Sequence, residues 1–164
     1  MPRFLPSVLS TGFLPVAELY AAARDGDLVK LDDVFICVDE PDRRELRAST
    51  LASELPRLPA ARHLVTMGWS AAWVYGAIDD PPWQHEVCVR ADERATLRLP
   101  PRFHQRELRL ADSDEARIAG LRVTTPARTV RDLELKRTDS PWARDAIARL
   151  AGMSGGENQP PLTR

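Results

Sequence analysis

The chain has 164 residues, of which 43% are hydrophobic and 29% are charged, a globular composition with enough apolar surface for one ordinary domain or two small units. Its formal net charge is −1, which excludes a uniformly basic protein. No apolar run approaches membrane-spanning length and residues 1–10 lack the pattern of a secretory signal, so we expect a cytoplasmic protein without a membrane partner.

The first part of the chain predicts a helix followed by a hairpin. Residues 15–24 begin with proline, carry apolar side chains at helical spacing and are followed by a glycine. Residues 28–31 and 34–38 are strand-like and flank two aspartates, which favours a tight turn. Helix plus hairpin is the outline of a winged helix, and we assign this winged-helix-like module to residues 1–41.

The rest of the chain predicts a small mixed α/β domain over residues 42–151, so that the fold class is α+β. Asp42, with Glu45 three residues later, resembles a capping box at the start of a helix. Helices are predicted at 42–55, 68–76, 126–135 and 141–150, and strands at 85–90, 95–99, 103–110 and 121–124. Residues 152–164 show no periodicity and predict a flexible tail.

Metal and nucleophile chemistry have little support in the sequence. Cys37 and Cys88 lie in apolar, strand-like segments, where a thiol usually behaves as a small buried hydrophobe. The three histidines are far apart, and no Cys-x-x-Cys or His-x-x-x-His spacing occurs. No phosphate-binding glycine loop or nucleophile elbow is present either. We therefore expect no metal, no cofactor and no enzymatic activity.

Three segments occur in an order that is typical of one family. Residues 70–76 read Ser-Ala-Ala-Trp-Val-Tyr-Gly, residues 103–106 read Phe-His-Gln-Arg, and residues 120–133 read Gly-Leu-Arg-Val-Thr-Thr-Pro-Ala-Arg-Thr-Val-Arg-Asp-Leu. Together they resemble the AbiEi-type antitoxin family, the antitoxin half of type IV toxin–antitoxin systems. The resemblance implies a winged helix joined to an α/β domain, in a regulator that represses its own promoter DNA and counteracts a nucleotidyltransferase-type toxin.

The residues that carry this resemblance are mainly structural. We expect Thr125 to cap a helix that starts at Pro126, and Arg128 to pair with Asp132 one turn later, which is worth about 0.2–0.5 kcal/mol. The motif positions with this structural role are Ser70, Gly76, Thr125, Pro126, Arg128, Thr129 and Asp132.

Charge is distributed unevenly, and this decides where an anionic partner is expected. Residues 1–40 hold three basic and seven acidic residues, and only Arg24 and Lys30 lie near the helix end and the hairpin turn, where family members carry cations. Residues 94–110, by contrast, hold five arginines and one glutamate. The candidate contacts to nucleic acid or to an acidic partner surface in this second region are Arg94, Arg98, Arg102, His104, Arg106 and Arg109.

Two other interpretations stay open. The winged helix has lost DNA readout and serves as a docking surface for a partner or for a homodimer. Alternatively, Asp112 or Asp114 combines with the Glu-x-Lys pair of Glu134 and Lys136 as in a Mg²⁺-dependent nuclease, although that pair falls at a helix end rather than on a buried strand. Because arginine outnumbers lysine 21 to 2, the arginines themselves also reflect a compositional bias.

Overall fold

In the computed structural model, residues 6–93, 97–136 and 140–154 are described. The chain divides into two compact units. The first holds the residues up to Leu55 together with Ala119–Leu121, and the second holds Pro56–Ile118 and the residues from Arg122 onward. Both units mix helices and strands, as the sequence predicted for the chain as a whole. None of the helices in the described part of the chain is long and apolar enough to cross a membrane.

The first unit is a three-stranded antiparallel sheet with two helices. Its elements are β1 (Val8–Leu9), α1 (Val16–Asp25), β2 (Leu28–Leu31), β3 (Val34–Cys37) and α2 (Arg44–Glu54). The strand order is β1-β3-β2, so that the β2–β3 hairpin is extended by β1. Its core contains Leu9, Leu19, Leu28 and Phe35, which are all buried. Burial of this cluster holds α1 against the sheet.

Local signals explain most of the first unit. Gly26 ends α1 with a left-handed φ of 86°, as predicted, whereas Pro15, which was predicted as the first helical residue, is the N-cap and α1 begins at Val16. The hairpin turn at residues 32 and 33 is confirmed, with Asp32 at a φ of 57° that aspartate tolerates better than most residues. The predicted cap was wrong, because α2 begins at Arg44 and the carboxylate of Asp42 instead accepts hydrogen bonds of 2.7 and 2.6 Å from Arg47.

The second unit is a five-stranded mixed sheet with helices. Its elements are a 3₁₀ turn (Pro59–His63), β4 (Leu64–Thr66), α3 (Gly68–Val74), β5 (His85–Arg90), β6 (Phe103–Leu108), a second 3₁₀ turn (Asp112–Asp114), β7 (Glu115–Ile118), β8 (Leu121–Thr124), α4 (Pro126–Glu134) and α5 (Pro141–Ser154). The strand order is β6-β5-β4-β8-β7. β5 runs antiparallel to β4 and parallel to β6, and β4 runs parallel to β8.

The core of this unit lies on the central strands. Val65, Met67, Cys88 and Leu110 form one buried cluster, and α3 packs against β5 and α4, which in turn packs against α5. Burial raises the pKa of the Cys88 thiol to about 12, so this cysteine is an inert core residue, as predicted. Within the described part of the chain, the two outer strands of this sheet are β6 and β7.

Several predicted boundaries differ from the structure. The domain boundary was placed between residues 41 and 42, whereas α2 contacts β1 and is grouped with the first unit. Residues 97–99 of the predicted strand 95–99 are not a strand, and residues 95 and 96 lie outside the described residues. The helix α5 continues to Ser154, so residues 152–154 of the predicted tail are helical, and the Ser154 hydroxyl donates a hydrogen bond to the carbonyl of Leu150. Residues 155–164 lie outside the described part.

Candidate functional site

The outer strand β6 and its flanks carry the residues that were predicted to contact an anionic partner. It follows Pro100 and Pro101 and pairs with β5 in register, with Phe103 opposite His85 and Arg106 opposite Cys88. Phe103 is buried, while His104 and Arg106 are exposed. Since side chains alternate between the two faces of a strand, Phe103 anchors one face and leaves the other to the histidine and the arginine.

Most of the described cations on and beside β6 are exposed, whereas Arg102 is half-buried. Four of these side chains are exposed and make no hydrogen bond or ion pair with another residue of 6–93, 97–136 or 140–154. They are Arg98, His104, Arg106 and Arg109. Arg94, the first of the predicted series, lies outside the described residues. Charges without intramolecular partners stay available to an external anion. We call Arg98, Arg102, His104, Arg106 and Arg109 the basic edge.

Arg102 extends the basic edge onto an aromatic side chain. Its guanidinium donates a 2.7 Å hydrogen bond to the carbonyl oxygen of Trp83 and lies 6.0 Å from the centre of the Trp83 ring. The Trp83 side chain is 90% exposed. The segment before β5 is tied to the segment before β6 by a 2.7 Å hydrogen bond from the amide of His85 to the carbonyl of Arg102. The structure thus places an exposed indole beside the arginine strip.

Some arginines elsewhere in the second unit are held by carboxylates. Arg90 donates to Asp112 at 2.7 Å, and Arg122 binds Glu115 at 2.6 Å and Glu93 at 3.1 Å. These guanidiniums neutralise the acidic segment around β7 rather than extend a basic surface. Lack of a carboxylate partner within the described residues therefore distinguishes the four exposed cations of the basic edge from these two arginines, but it is shared by the exposed Arg57, Arg117 and Arg144. What is particular to the basic edge is the grouping of such cations on one strand and its flanks.

Asp114 is the centre of a second group of ion pairs. It accepts a 2.7 Å hydrogen bond from Arg128 and a further one from Arg131, and the amide of Ala111 also donates to it. Burial works against the charged form, but these donors outweigh it and hold the pKa of Asp114 below its ordinary value. The predicted pair of Arg128 with Asp132 is confirmed at 2.8 Å.

The other motif residues have structural roles, as predicted. The hydroxyl of Thr125 accepts the Arg128 amide at the start of α4, Pro126 is the first helical residue, and the hydroxyls of Thr124 and Thr129 lie 2.8 Å apart in the interior. Gly76 follows α3 with a φ of 77°. The motif therefore fixes the junction of β8 with α4 and the end of α3.

A buried serine–histidine contact was not predicted. The hydroxyl of Ser70 lies 3.1 Å from Nδ1 of His85 and accepts a 2.9 Å hydrogen bond from the amide of Glu86. Both side chains have no exposed surface, and the His85 ring contacts those of Trp73 and Phe103. The pair therefore joins α3 to β5 in the interior of the second unit. The fifteen residues that separate the two side chains gave no sequence signal, and Ser70 does not cap α3, whose N-cap is Met67.

The residues of the nuclease interpretation are engaged separately. Lys136 forms an ion pair with Glu86, at 2.6 Å from Oε2, rather than with Glu134, which is exposed on α4. Asp112 binds Arg90, and Asp114 binds two arginines as described above. Asp112, Asp114 and Glu134 do not belong to any cluster of three or more potential metal ligands within the described residues, so the geometry does not support the nuclease interpretation.

The first unit has little unmatched positive charge at the end of α1 and at the β2–β3 turn, where a winged helix would contact DNA. Arg24 is exposed in the last turn of α1 beside Asp25, and Lys30 on β2 lies 3.8 Å from Asp33. The exposed face of α1 instead shows Val16 and Tyr20, each about half exposed (52% and 54%). Cations that are matched by neighbouring carboxylates attract phosphates weakly.

Comparison with known proteins gives no assignment. No protein-family model matches the chain, and no curated protein matches it.

Proposed function

We propose that this chain is a non-enzymatic, antitoxin-like regulator that contacts nucleic acid through the basic edge of its second unit. The contact is carried by one observation: four exposed cations are grouped on β6 and its flanks without a carboxylate partner among the described residues, whereas Arg90, Arg122 and Arg128 are ion-paired. Cations that meet phosphates release condensed counterions, which supplies most of the affinity for a nucleic-acid backbone.

Trp83 adds a second element to the proposed interface. An exposed indole beside a row of arginines is the arrangement that stacks a base while the guanidiniums bind the backbone. Phe103 is buried and therefore supports the strand without contacting the ligand. Phosphate contacts and one stacked ring carry little base specificity, so the expected affinity depends on salt more than on sequence.

The regulator class rests on the resemblance of residues 70–76, 103–106 and 120–133 to AbiEi-type antitoxins. A winged-helix-like first unit belongs to this proposal, together with repression of the protein's own promoter and neutralisation of a nucleotidyltransferase-type toxin. The hairpin of β2 and β3 behind α1 is compatible with such a unit. Its acidic residues direct the nucleic-acid contact to the second unit instead.

A fluorescence anisotropy titration with the upstream DNA at two salt concentrations tests the contact. Replacing Arg106 by alanine is expected to weaken binding to all sequences and to reduce the slope of log K against log salt by about 0.9, the value for one lost phosphate contact. Trp83→Ala is expected to weaken binding to single-stranded DNA by about tenfold, in line with about 1–3 kcal/mol for a stacked base.

The matched control is Arg117→Ala. Arg117 is also exposed and lies on β7, the outer strand at the opposite side of the same sheet. It removes the same charge from the chain, so binding is expected to stay within twofold of the wild type if the basic edge is the contact. Equal losses for the Arg106 and Arg117 variants would reduce the effect to net charge. Absence of any salt-dependent binding at micromolar protein would reject the nucleic-acid contact and favour a protein-interaction module.

A further inference from the structure

An open pocket of about 460 Å³ lies in the second unit, between the start of α3, the segment that follows this helix, and α5. Its apolar wall contains the rings of Trp69 and Trp142, whose centres are 4.7 Å apart at an interplanar angle of 45°. The volume is within the range of pockets that bind small ligands or single side chains. The Trp142 side chain is 54% exposed, so the aromatic wall is accessible from solvent.

Carboxylates form the rim of this pocket. Asp79, Asp80 and Asp145 all line it and are exposed, and none is joined by a hydrogen bond or an ion pair to another side chain in the described part of the chain. Arg149 also lines the pocket, and its guanidinium donates a 3.4 Å hydrogen bond to the carbonyl of Ala77. Three carboxylates against one guanidinium leave the lining with two net negative charges.

We propose that this pocket binds an organic cation, namely the guanidinium or ammonium group of an arginine or lysine side chain on a partner polypeptide. The electron-rich faces of indole rings attract cations, and more strongly so than those of other aromatic side chains. The rim carboxylates attract the same charge and repel phosphates, so the pocket excludes the ligand of the basic edge.

The exposure of the pocket identifies a polypeptide rather than a free small molecule as the source of the cation. Trp142 and the three rim aspartates are open to solvent, and the pocket therefore encloses only part of its occupant. A side chain that is attached to a larger surface gains the remaining contacts outside the pocket, whereas a free cation does not. The inference is independent of the proposed nucleic-acid contact, which uses other residues.

Titration of ¹⁵N-labelled protein with the peptide acetyl-Gly-Arg-Gly-Arg-Gly-amide tests the proposal. The four indole N–H signals report separately, and those of Trp69 and Trp142 are expected to shift in a saturable manner while those of Trp73 and Trp83 do not. The matched probe replaces both arginines by citrulline, which keeps the shape and removes the charge. Equal shifts with the citrulline peptide, or no saturable shift with the arginine peptide, would overturn the proposal.

Variants separate the two components of the pocket. Trp142→Ala is expected to weaken binding of the arginine peptide at least tenfold, and Asp145→Asn is expected to weaken it several-fold. Arg106→Ala is expected to leave the affinity for this peptide unchanged. Both pocket residues are exposed, so the fold is expected to persist, which the dispersion of the remaining signals checks. Unchanged affinity in Trp142→Ala contradicts the pocket, and affinity for N-acetylarginine amide equal to that for the peptide contradicts the polypeptide as the source.

Discussion

Replacing Gly68 by alanine tests how α3 is joined to the sheet. Gly68 begins the helix with a left-handed φ of 58°. A Cβ built at this position lies 2.8 Å from Nζ of Lys136 and 3.0 Å from Cδ of Glu86, and it overlaps Oε2 of the same glutamate. The carboxylate of Glu86 accepts the Trp69 amide at 2.9 Å and pairs with Lys136. The alanine methyl group therefore competes with this ion pair for the same space.

The magnitude has two parts. Left-handed backbone costs an alanine about 1–2 kcal/mol, of which the reduced freedom of the unfolded chain returns about 0.4–1 kcal/mol. Displacement of Glu86 removes charge-assisted hydrogen bonds, each of which contributes about 1.5–3 kcal/mol. Both partners of the ion pair are mostly buried, with 15% of Glu86 and 23% of Lys136 exposed. We expect Gly68→Ala to lower the free energy of unfolding by about 3 kcal/mol.

Gly76→Ala supplies the matched control. Gly76 ends the same helix with a φ of 77°, and a Cβ there meets no atom within 4 Å. This variant carries the backbone cost alone, about 1 kcal/mol. Urea unfolding followed by tryptophan fluorescence measures both variants, and the same measurement in a Glu86→Ala background completes a double-mutant cycle. In that background the cost of Gly68→Ala is expected to fall to that of Gly76→Ala. Equal costs in the native background, or no reduction without Glu86, would refute the reasoning.

Two further predictions concern buried polar groups of the second unit. Asp114→Asn is expected to lower the free energy of unfolding at neutral pH and to weaken the dependence of this free energy on acidic pH. The folded-state pKa of Asp114 is depressed, so the contribution of Asp114 to stability is present above the unfolded-state pKa of about 3.9 and is lost as the pH falls through the folded-state pKa. Urea titrations at several pH values measure this dependence. Ser70→Ala removes the buried hydroxyl that contacts Nδ1 of His85 and accepts the Glu86 amide. It is expected to cost about 1–3 kcal/mol of unfolding free energy, against less than about 0.5 kcal/mol for the exposed Ser113→Ala. An acid dependence that is unchanged in Asp114→Asn, or equal losses for the two serine variants, would contradict these assignments.

Elements with local signals were predictable from the sequence. The helix α4 starts where Thr125-Pro126 places a cap and a first helical residue, and α1 ends where Gly26 permits a left-handed backbone. The strands β1, β4 and β7 were missed. β4 has only three residues, Leu64–Thr66, all of them buried, so it shows no alternation of apolar and polar positions. The hairpin of β7 turns at Ala119, whose positive φ of 47° is a conformation that the identity of an alanine does not predict.

The candidate site was predictable to the extent that it depends on alternation along one strand. The sequence pattern predicts Arg102, His104 and Arg106 on one face of a strand. His104 and Arg106 are exposed on β6, whereas Arg102 precedes the strand and is half-buried. The pairing of each charge was not predictable, because ion pairs such as Glu86 with Lys136 join residues fifty positions apart. The partners of such pairs are set by the order of strands in the sheet, for which the sequence contains no local signal.

The ion pairing of individual arginines gives information about function that the amino-acid composition does not. With 21 arginines and 2 lysines, the count of cations says little about function, since the same bias supplies every surface. In the second unit, carboxylates neutralise Arg90, Arg122 and Arg128, while Arg106 on β6 has none within the described residues. The pocket lined by Trp69 and Trp142 has the opposite charge imbalance, because carboxylates outnumber cations in its lining. The two proposals therefore assign a nucleic acid and a basic polypeptide to different surfaces of this unit. Arg106→Ala is expected to weaken binding of the first ligand and Trp142→Ala binding of the second, so either proposal can fail without the other.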